Sequence, residues 1–193
     1  PLYPTHAELV ATLKHDGIAI TSIEELFGSS QLFQELVVAV SKHEASLRND
    51  IDKARADVNR PGRNKSYVFK LLGSIPTLDP TNIFVRIALQ PEVLSIANHY
   101  FGMLTKLRYY NVWRNFPTKA APKESQLWHR DPEDRYILKM FIYLTDVDEG
   151  AGPLSYAPGT HMQGRVKARP PSRRVREGRT NVRRTEDAQM NTT

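Results

Sequence analysis

The chain contains no cysteine among its 193 residues. This absence excludes disulfide bonds and zinc sites built on thiolates, and it is typical of proteins from a reducing compartment. Any metal site must therefore be built from histidine, aspartate and glutamate side chains. We expect a cytoplasmic protein.

Long hydrophobic runs are also missing. The longest purely aliphatic run covers residues 36–40, whereas a transmembrane helix needs about 20 apolar residues. The sequence does not begin with methionine and shows no cationic stretch followed by an apolar segment, so a signal peptide is not predicted. We expect no membrane partner.

Aromatic residues are absent from the most basic segment of the chain. The formal net charge is +6, and residues 164–184 hold eight arginines and one lysine against one glutamate. Segments that bind nucleic acid combine such cations with aromatic side chains that stack on bases. We interpret this segment as a solvated loop and expect no nucleic-acid partner. The alternative is a binding module that presents the arginines to an anionic partner.

Helical patterns fill the first half of the chain. Apolar residues at helical spacing predict two longer helices, over residues 6–14 and 31–47. Between them, a short apolar run predicts a strand over residues 18–20, and a short helix is predicted from Ser22. Residues 48–65 are charged and are interpreted as a frayed continuation or a loop.

Two dipeptides predict further helix starts. Asp79-Pro80 and Gln90-Pro91 each place a capping residue before a proline, which suits the first turn of a helix. Gly102 is the candidate C-cap of the second of these helices.

After residue 106 the pattern changes to strands, predicted over residues 107–113, 136–145 and 154–157. Helices that precede a β-rich region predict a single α+β domain, with helices covering one face of a sheet. Alternation along the second strand places Met140, Ile142 and Leu144 on a side suited to burial. Lys139 and Phe141 share the other side, which suits a ligand pocket.

The motif His129-Arg130-Asp131 supplies two of the three ligands of a non-haem Fe(II) site, which uses two imidazoles and one carboxylate. The two-residue period of a strand end lets His129 and Asp131 project the same way. Chance alone gives such a motif in about one in three chains of this composition. On the motif alone, a turn in which His129 bonds to Asp131 is the better interpretation.

The longer string "SQLWHRDPEDRYILKMFIYLTDVDEGAGPLSYAPGTH", residues 125–161, resembles the phytanoyl-CoA dioxygenase family. Shared features, in order, are Trp-His-x-Asp, an apolar strand ending in Leu-Thr, an acidic and glycine-rich turn before Gly-Pro, and a closing Pro-Gly-Thr-His. "LRYYNVW", residues 107–113, is similar to the preceding strand of that family. The first hundred residues are only generally similar.

The resemblance implies a double-stranded β-helix (jelly-roll, cupin-like) core with N-terminal helices. It implies an Fe(II)- and 2-oxoglutarate-dependent dioxygenase that uses O2 to hydroxylate a small organic substrate. His129 and Asp131 then correspond to iron ligands, and Asn111 and Phe141 to residues that border the 2-oxoglutarate. His161 corresponds to a residue that ends a turn and is not a ligand.

The chain departs from the family in one respect. In the family a second histidine ligand and an arginine that pairs with 2-oxoglutarate follow the Pro-Gly-Thr-His turn, whereas no histidine follows His161 here. We expect one partial domain over residues 1–193, with a mainly helical region over residues 1–105, β-helix strands over 106–163 and an Arg-rich loop over 164–193. We expect this partial chain to bind iron weakly and to be inactive by itself.

The same two ligands also fit a zinc or manganese site in a hydrolase or a non-oxygenase cupin, since ligand type does not fix the metal. The substrate is not readable from the sequence.

Overall fold

The structure is a computed structural model of the chain. It describes residues 3–60, 66–118, 121, 126–129, 131, 136–161 and 163–166. The predicted Arg-rich loop lies outside the described residues from position 167 onward, as does Arg130.

Four helices form the N-terminal region: α1 Pro4–Asp16, α2 Ile23–Phe27, α3 Gln31–Ser46 and α4 Arg48–Ala56. α2 begins with a capping box, in which the Ser22 side chain accepts from Glu25 N and the Glu25 carboxylate accepts from Ser22 N. The predictions of α1, α2 and α3 are confirmed. Residues 48–56 of the charged segment form α4, so the predicted helical continuation is confirmed there and the loop alternative was wrong over these nine residues.

Two more helices follow, α5 Ile83–Arg86 and α6 Pro91–Phe101. α6 starts at Gln90-Pro91 and ends at Gly102 in the left-handed conformation, as predicted. The predicted start at Asp79-Pro80 was wrong. The Asp79 carboxylate instead accepts from Thr81 N at 2.9 Å within a turn, and the Asn82 side chain caps α5.

The described residues contain one two-stranded antiparallel sheet, in which β1 Val68–Lys70 pairs with β2 Trp113–Asn115. Its central register pair joins Phe69 and Arg114. No strand ladder forms in the described residues 18–20, 136–145 and 154–157, and of the predicted strand 107–113 only Trp113 lies in β2. A 3-10 turn covers Glu149–Ala151. The jelly-roll core therefore stays a prediction.

Two clusters of buried side chains hold the elements together. The first joins α3, α5 and the residue after β1, through Leu36, Val40, Leu71, Phe84 and Ile87. The second joins α1, α2 and α6, through Val10, Leu13, Leu26 and Ile96. Full burial of each such side chain stabilises the fold by about 1.5–3 kcal/mol. Because most of these side chains lie on helices, the helices provide most of the described core.

The segment 137–144 is packed on both clusters. Ile142 and Leu144 contact the first cluster and Leu138 the second. Phe141 and Tyr143 alternate with them and are about half exposed, so the predicted sidedness is confirmed at these positions. Met140 was expected on the buried side and is instead 41% exposed.

Residues 156–165 are attached to the C-terminal end of α1. Gly159 N donates to Asp16 O at 2.7 Å, and the guanidinium of Arg165 donates to the Asp16 carboxylate at 3.1 Å. His161 Nε2 donates to Lys14 O at 3.2 Å. The bonds from Gly159 and His161 satisfy backbone carbonyls that the last turn of a helix leaves without partners. None of the helices among the described residues is long and apolar enough to cross a membrane.

Candidate metal centre

His129 and Asp131 lie side by side in the structure. His129 Nε2 is 3.5 Å from Asp131 Oδ1, and the two side chains are 19% and 29% exposed. Two ligands bound to one ion at right angles are about 3 Å apart when each lies about 2.1 Å from the ion. The structure thus brings together the two residues that the motif pairs.

A backbone contact fixes the orientation of the imidazole. His129 Nδ1 lies 2.7 Å from the carbonyl oxygen of Leu127. Because a carbonyl oxygen only accepts, Nδ1 carries a proton, and a neutral ring then has its lone pair on Nε2. Metal-binding histidines are commonly held in this way by a second hydrogen bond.

The facing atoms of the pair are placed to share a positive charge. With His129 neutral, the Nε2 lone pair and the Asp131 carboxylate oxygen are both acceptors and repel each other at 3.5 Å. Either a proton on Nε2 or a cation bound by both atoms removes the repulsion. The geometry therefore fits an ion pair or a metal held by both side chains.

Lys139 neutralises the other carboxylate oxygen. Its Nζ donates to Asp131 Oδ2 at 2.5 Å, and the lysine side chain is 45% exposed. This contact holds the carboxylate with Oδ1 toward His129. The strand pattern had placed Lys139 on the pocket side, but its partner was not predictable because it depends on the path of the chain between the two residues.

Trp128, the first residue of the Trp-His-x-Asp motif, has a buried indole Nε1–H for which no acceptor is found within the described residues.

Asn111 and Phe141 have no described contact with the His129–Asp131 pair. The Asn111 amide donates to Gly73 O at 2.8 Å and to the Tyr109 hydroxyl at 3.1 Å. The neighbours on its side of the chain, Tyr109 and Trp113, are about half exposed, as is Phe141. Their predicted role at a cosubstrate pocket stays a prediction.

A third protein ligand is not found: the described residues contain no group of three His, Cys, Asp or Glu side chains that could hold a metal ion. His161 lies against α1, where its Nδ1 is buried without a partner among the residues described. The described residues thus supply two side chains of the types that bind a divalent metal, His129 and Asp131, and not the three of a facial triad.

A concave pocket with a volume of about 410 Å³ is lined by residues that include Phe33, Tyr143 and Asp146. His129 and Asp131 are not among the residues that line it. It therefore does not enlarge the metal centre.

No protein-family model, no curated protein and no solved structure matches the chain. The likeness of residues 125–161 to the dioxygenase family stays a prediction, and the chemistry of the site has to be argued from its own residues.

Proposed function

We propose that the chain belongs to an Fe(II)- and 2-oxoglutarate-dependent dioxygenase that hydroxylates a small organic substrate in the cytoplasm. In this proposal His129 and Asp131 bind the iron within a jelly-roll core, and Asn111 and Phe141 border the 2-oxoglutarate. The observation that carries the proposal is the pair of facing acceptor atoms, His129 Nε2 and Asp131 Oδ1, 3.5 Å apart.

Three further observations support this assignment. The Leu127 carbonyl holds the imidazole with Nε2 toward Asp131, and Lys139 holds the carboxylate from its other side. Both ligand side chains are largely shielded from solvent. Such support by neighbouring groups keeps a metal site in its binding geometry before the ion arrives.

The residues present define the protein's share of the chemistry. His129 and Asp131 would bind and orient the iron, and Lys139 would hold the carboxylate in place. When bound, iron would supply the oxidising chemistry together with 2-oxoglutarate and O2, whose two oxygen atoms would go to succinate and to the hydroxylated C–H bond while CO2 is released. The packing of Ile142 and Leu144 against the first cluster would keep the support of the site rigid.

The test is anaerobic calorimetric titration of the full chain with Fe(II). Compared with the unchanged chain, His129→Ala and Asp131→Asn should each weaken binding by at least about tenfold, the usual size of losses at metal sites. His99→Ala is the matched control, because His99 lies on α6 and its Nδ1 bonds to Ser95 O within that helix. Equal affinities in all four proteins would refute the metal assignment and leave an ion pair.

The same titration in the presence of 2-oxoglutarate distinguishes an oxygenase from other metal-binding proteins. A cosubstrate that chelates the iron must tighten Fe(II) binding, and Fe(II) must tighten its binding by the same factor. We expect this coupling in the unchanged chain and its loss in His129→Ala. Binding of Zn(II) or Mn(II) with no response to 2-oxoglutarate would favour a hydrolase or a non-oxygenase cupin.

A further inference from the structure

The pocket lined by Phe33 and Tyr143 is distinct from the metal centre, whose two ligands do not line it. Its volume of about 410 Å³ lies within the range of about 300–1,000 Å³ that is typical of sites for small molecules. Such sites combine mostly apolar walls with a few polar groups that orient the ligand. The lining residues have this composition, with two aromatic rings, aliphatic side chains, the Thr145 hydroxyl and the Asp146 carboxylate.

The first cluster brings the two aromatic walls of the pocket together. Leu32, in the first turn of α3, and Leu144 both pack on this cluster. Phe33, the next residue of α3, and Tyr143, the neighbour of Leu144, line the pocket. Both walls are therefore attached to the same buried core.

Hydrogen bonds hold the loop that borders the pocket. The Tyr143 hydroxyl accepts from Leu154 N at 3.1 Å, which attaches the ring to the residue after the lining residue Pro153. The Asp148 carboxylate accepts from Ala151 N at 2.9 Å and holds the 3-10 turn. This wall is therefore formed before a ligand arrives, which lowers the entropic cost of binding.

Negative charge dominates the described pocket. Asp146 is the charged residue among the described residues that line it, and none of the ion pairs between described residues involves its carboxylate. Residues 143–154 contain three carboxylates and no lysine, arginine or histidine. On α3, Glu35 follows Phe33 by two residues and is paired with Arg86, so these two charges cancel. A cationic ligand is therefore favoured over an anionic one.

We propose that this pocket binds a small organic ammonium ion, with its charge at Asp146 and its apolar part against Phe33 and Tyr143. The face of an aromatic ring attracts a cation, and this attraction adds to that of a carboxylate. Phe33 is partly buried and Tyr143 is 52% exposed, so a ligand can reach both rings. The site needs no metal, and the proposal is independent of the iron centre.

The test is an NMR titration of the 15N-labelled full chain with three probes of similar size. They are 2-phenylethylamine, which is a cation at neutral pH, the neutral 2-phenylethanol and the anion 3-phenylpropionate. We expect the amine to shift the amide signals of Thr145 and Val147 with a dissociation constant on the order of 1 mM. The neutral probe should bind about fivefold more weakly, because it lacks the attraction to the rings and to the carboxylate. The anion should bind more weakly still.

Asp146→Asn removes the charge of the pocket and keeps the shape of the side chain. It should weaken binding of the amine about fivefold and leave binding of 2-phenylethanol unchanged. Asp148→Asn is the matched control. It removes the same charge two residues away, outside the lining, and asparagine can still accept from Ala151 N. Its affinity for the amine should stay within about twofold of that of the unchanged chain.

Two sets of results would overturn the proposal. Equal affinities of the unchanged chain for the amine and the neutral probe, or equal losses in Asp146→Asn and Asp148→Asn, would show that the carboxylate of the pocket does not bind the ammonium group. Absence of amide shifts with the amine at tenfold its expected dissociation constant, or shifts confined to residues outside the pocket, would remove the site itself. The comparison of probes uses the unchanged chain, so it holds even where a variant does not fold.

Discussion

The helices of the first hundred residues and the segment that carries the metal centre are built by different means. Each longer helix has signals in its own sequence or next to it, such as the glycine after α1, and the short α2 has its capping box at Ser22. Residues 126–129, 131 and 136–144 instead depend on distant packing, including that of Ile142 and Leu144 on helices about a hundred residues earlier. The candidate site thus lies where local signals are weakest.

The largest expected effect tests whether the helices dominate stability. Phe84 is 6% exposed in the first cluster, so Phe84→Ala leaves a cavity there. The variant should lower the free energy of unfolding by about 3–5 kcal/mol. Ile142→Ala, on the same cluster but only partly buried, should cost less than about 2 kcal/mol. Urea unfolding followed by circular dichroism measures both. Similar losses would show that the site segment is packed as firmly as the helices.

Gly17 connects α1 to residues 156–161 and gives the next largest effect. Gly17 has φ +78°, and a Cβ there would lie 2.5 Å from His161 Nδ1 and closer still to the Tyr156 hydroxyl. Gly17→Ala should therefore cost about 2–3 kcal/mol from strain and overpacking together. Gly28→Ala is the matched control, because φ is +71° with nothing within 4 Å; strain alone should cost about 1 kcal/mol. Equal costs in urea unfolding would mean that residues 156–161 simply move away.

The capping box of α2 tests the local signals. Ser22→Ala should lower the free energy of unfolding by about 1 kcal/mol. Ser30→Ala is its control, since the Ser30 side chain makes no capping bond to α3, and it should change stability by much less. A loss in the control as large as that of Ser22→Ala would show that the hydroxyl, rather than the cap, matters.

The same box predicts a pH dependence. The hydrogen bond from Ser22 N, together with that from Thr21, lowers the pKa of Glu25 below 4.5. A lowered carboxyl pKa contributes stability that is present above the unfolded pKa and is lost as pH falls through the folded pKa. As the pH falls below 4.5, the unchanged chain should therefore lose unfolding free energy that Glu25→Gln does not lose. Acid unfolding of the two proteins measures this difference.

The smallest effect is expected for the exposed ion pair of the site segment. Lys139→Met removes the partner of Asp131, but the lysine is 45% exposed, so the change in unfolding free energy should stay within about 1 kcal/mol. Lys106→Met, in an exposed position, is the control for loss of one positive charge. A much larger loss for Lys139→Met would show that Asp131 is held in a well-shielded place.

Helices were predictable because their signals are local. The proline at the start of α6 and the glycine at its end determine its bounds from neighbouring residues. Asp79-Pro80 misled because an aspartate followed by proline also suits a turn, and the Thr81 amide and hydroxyl both bond to Asp79. The pairing of Val68–Lys70 with Trp113–Asn115 joins segments more than forty residues apart, and no local pattern specifies such a partner.

The site was predictable only where it depends on neighbouring residues. His129 and Asp131 are two residues apart, so their pairing needed only local geometry. The contact of Lys139 with Asp131, eight residues away, depends on the path of the chain between them, which the sequence pattern does not define.

The carboxylate shared by His129 and Lys139 has a consequence for charge balance. With His129 neutral, Asp131 and Lys139 sum to zero, so a divalent ion held there would leave two positive charges beside a lysine side chain that is 45% exposed. Such an excess is costly unless an anion accompanies the metal. A dianion with two carboxylates would cancel it, whereas a monoanion would leave one charge. If the proposed metal binds, a doubly charged anion would therefore balance its charge better than a singly charged one.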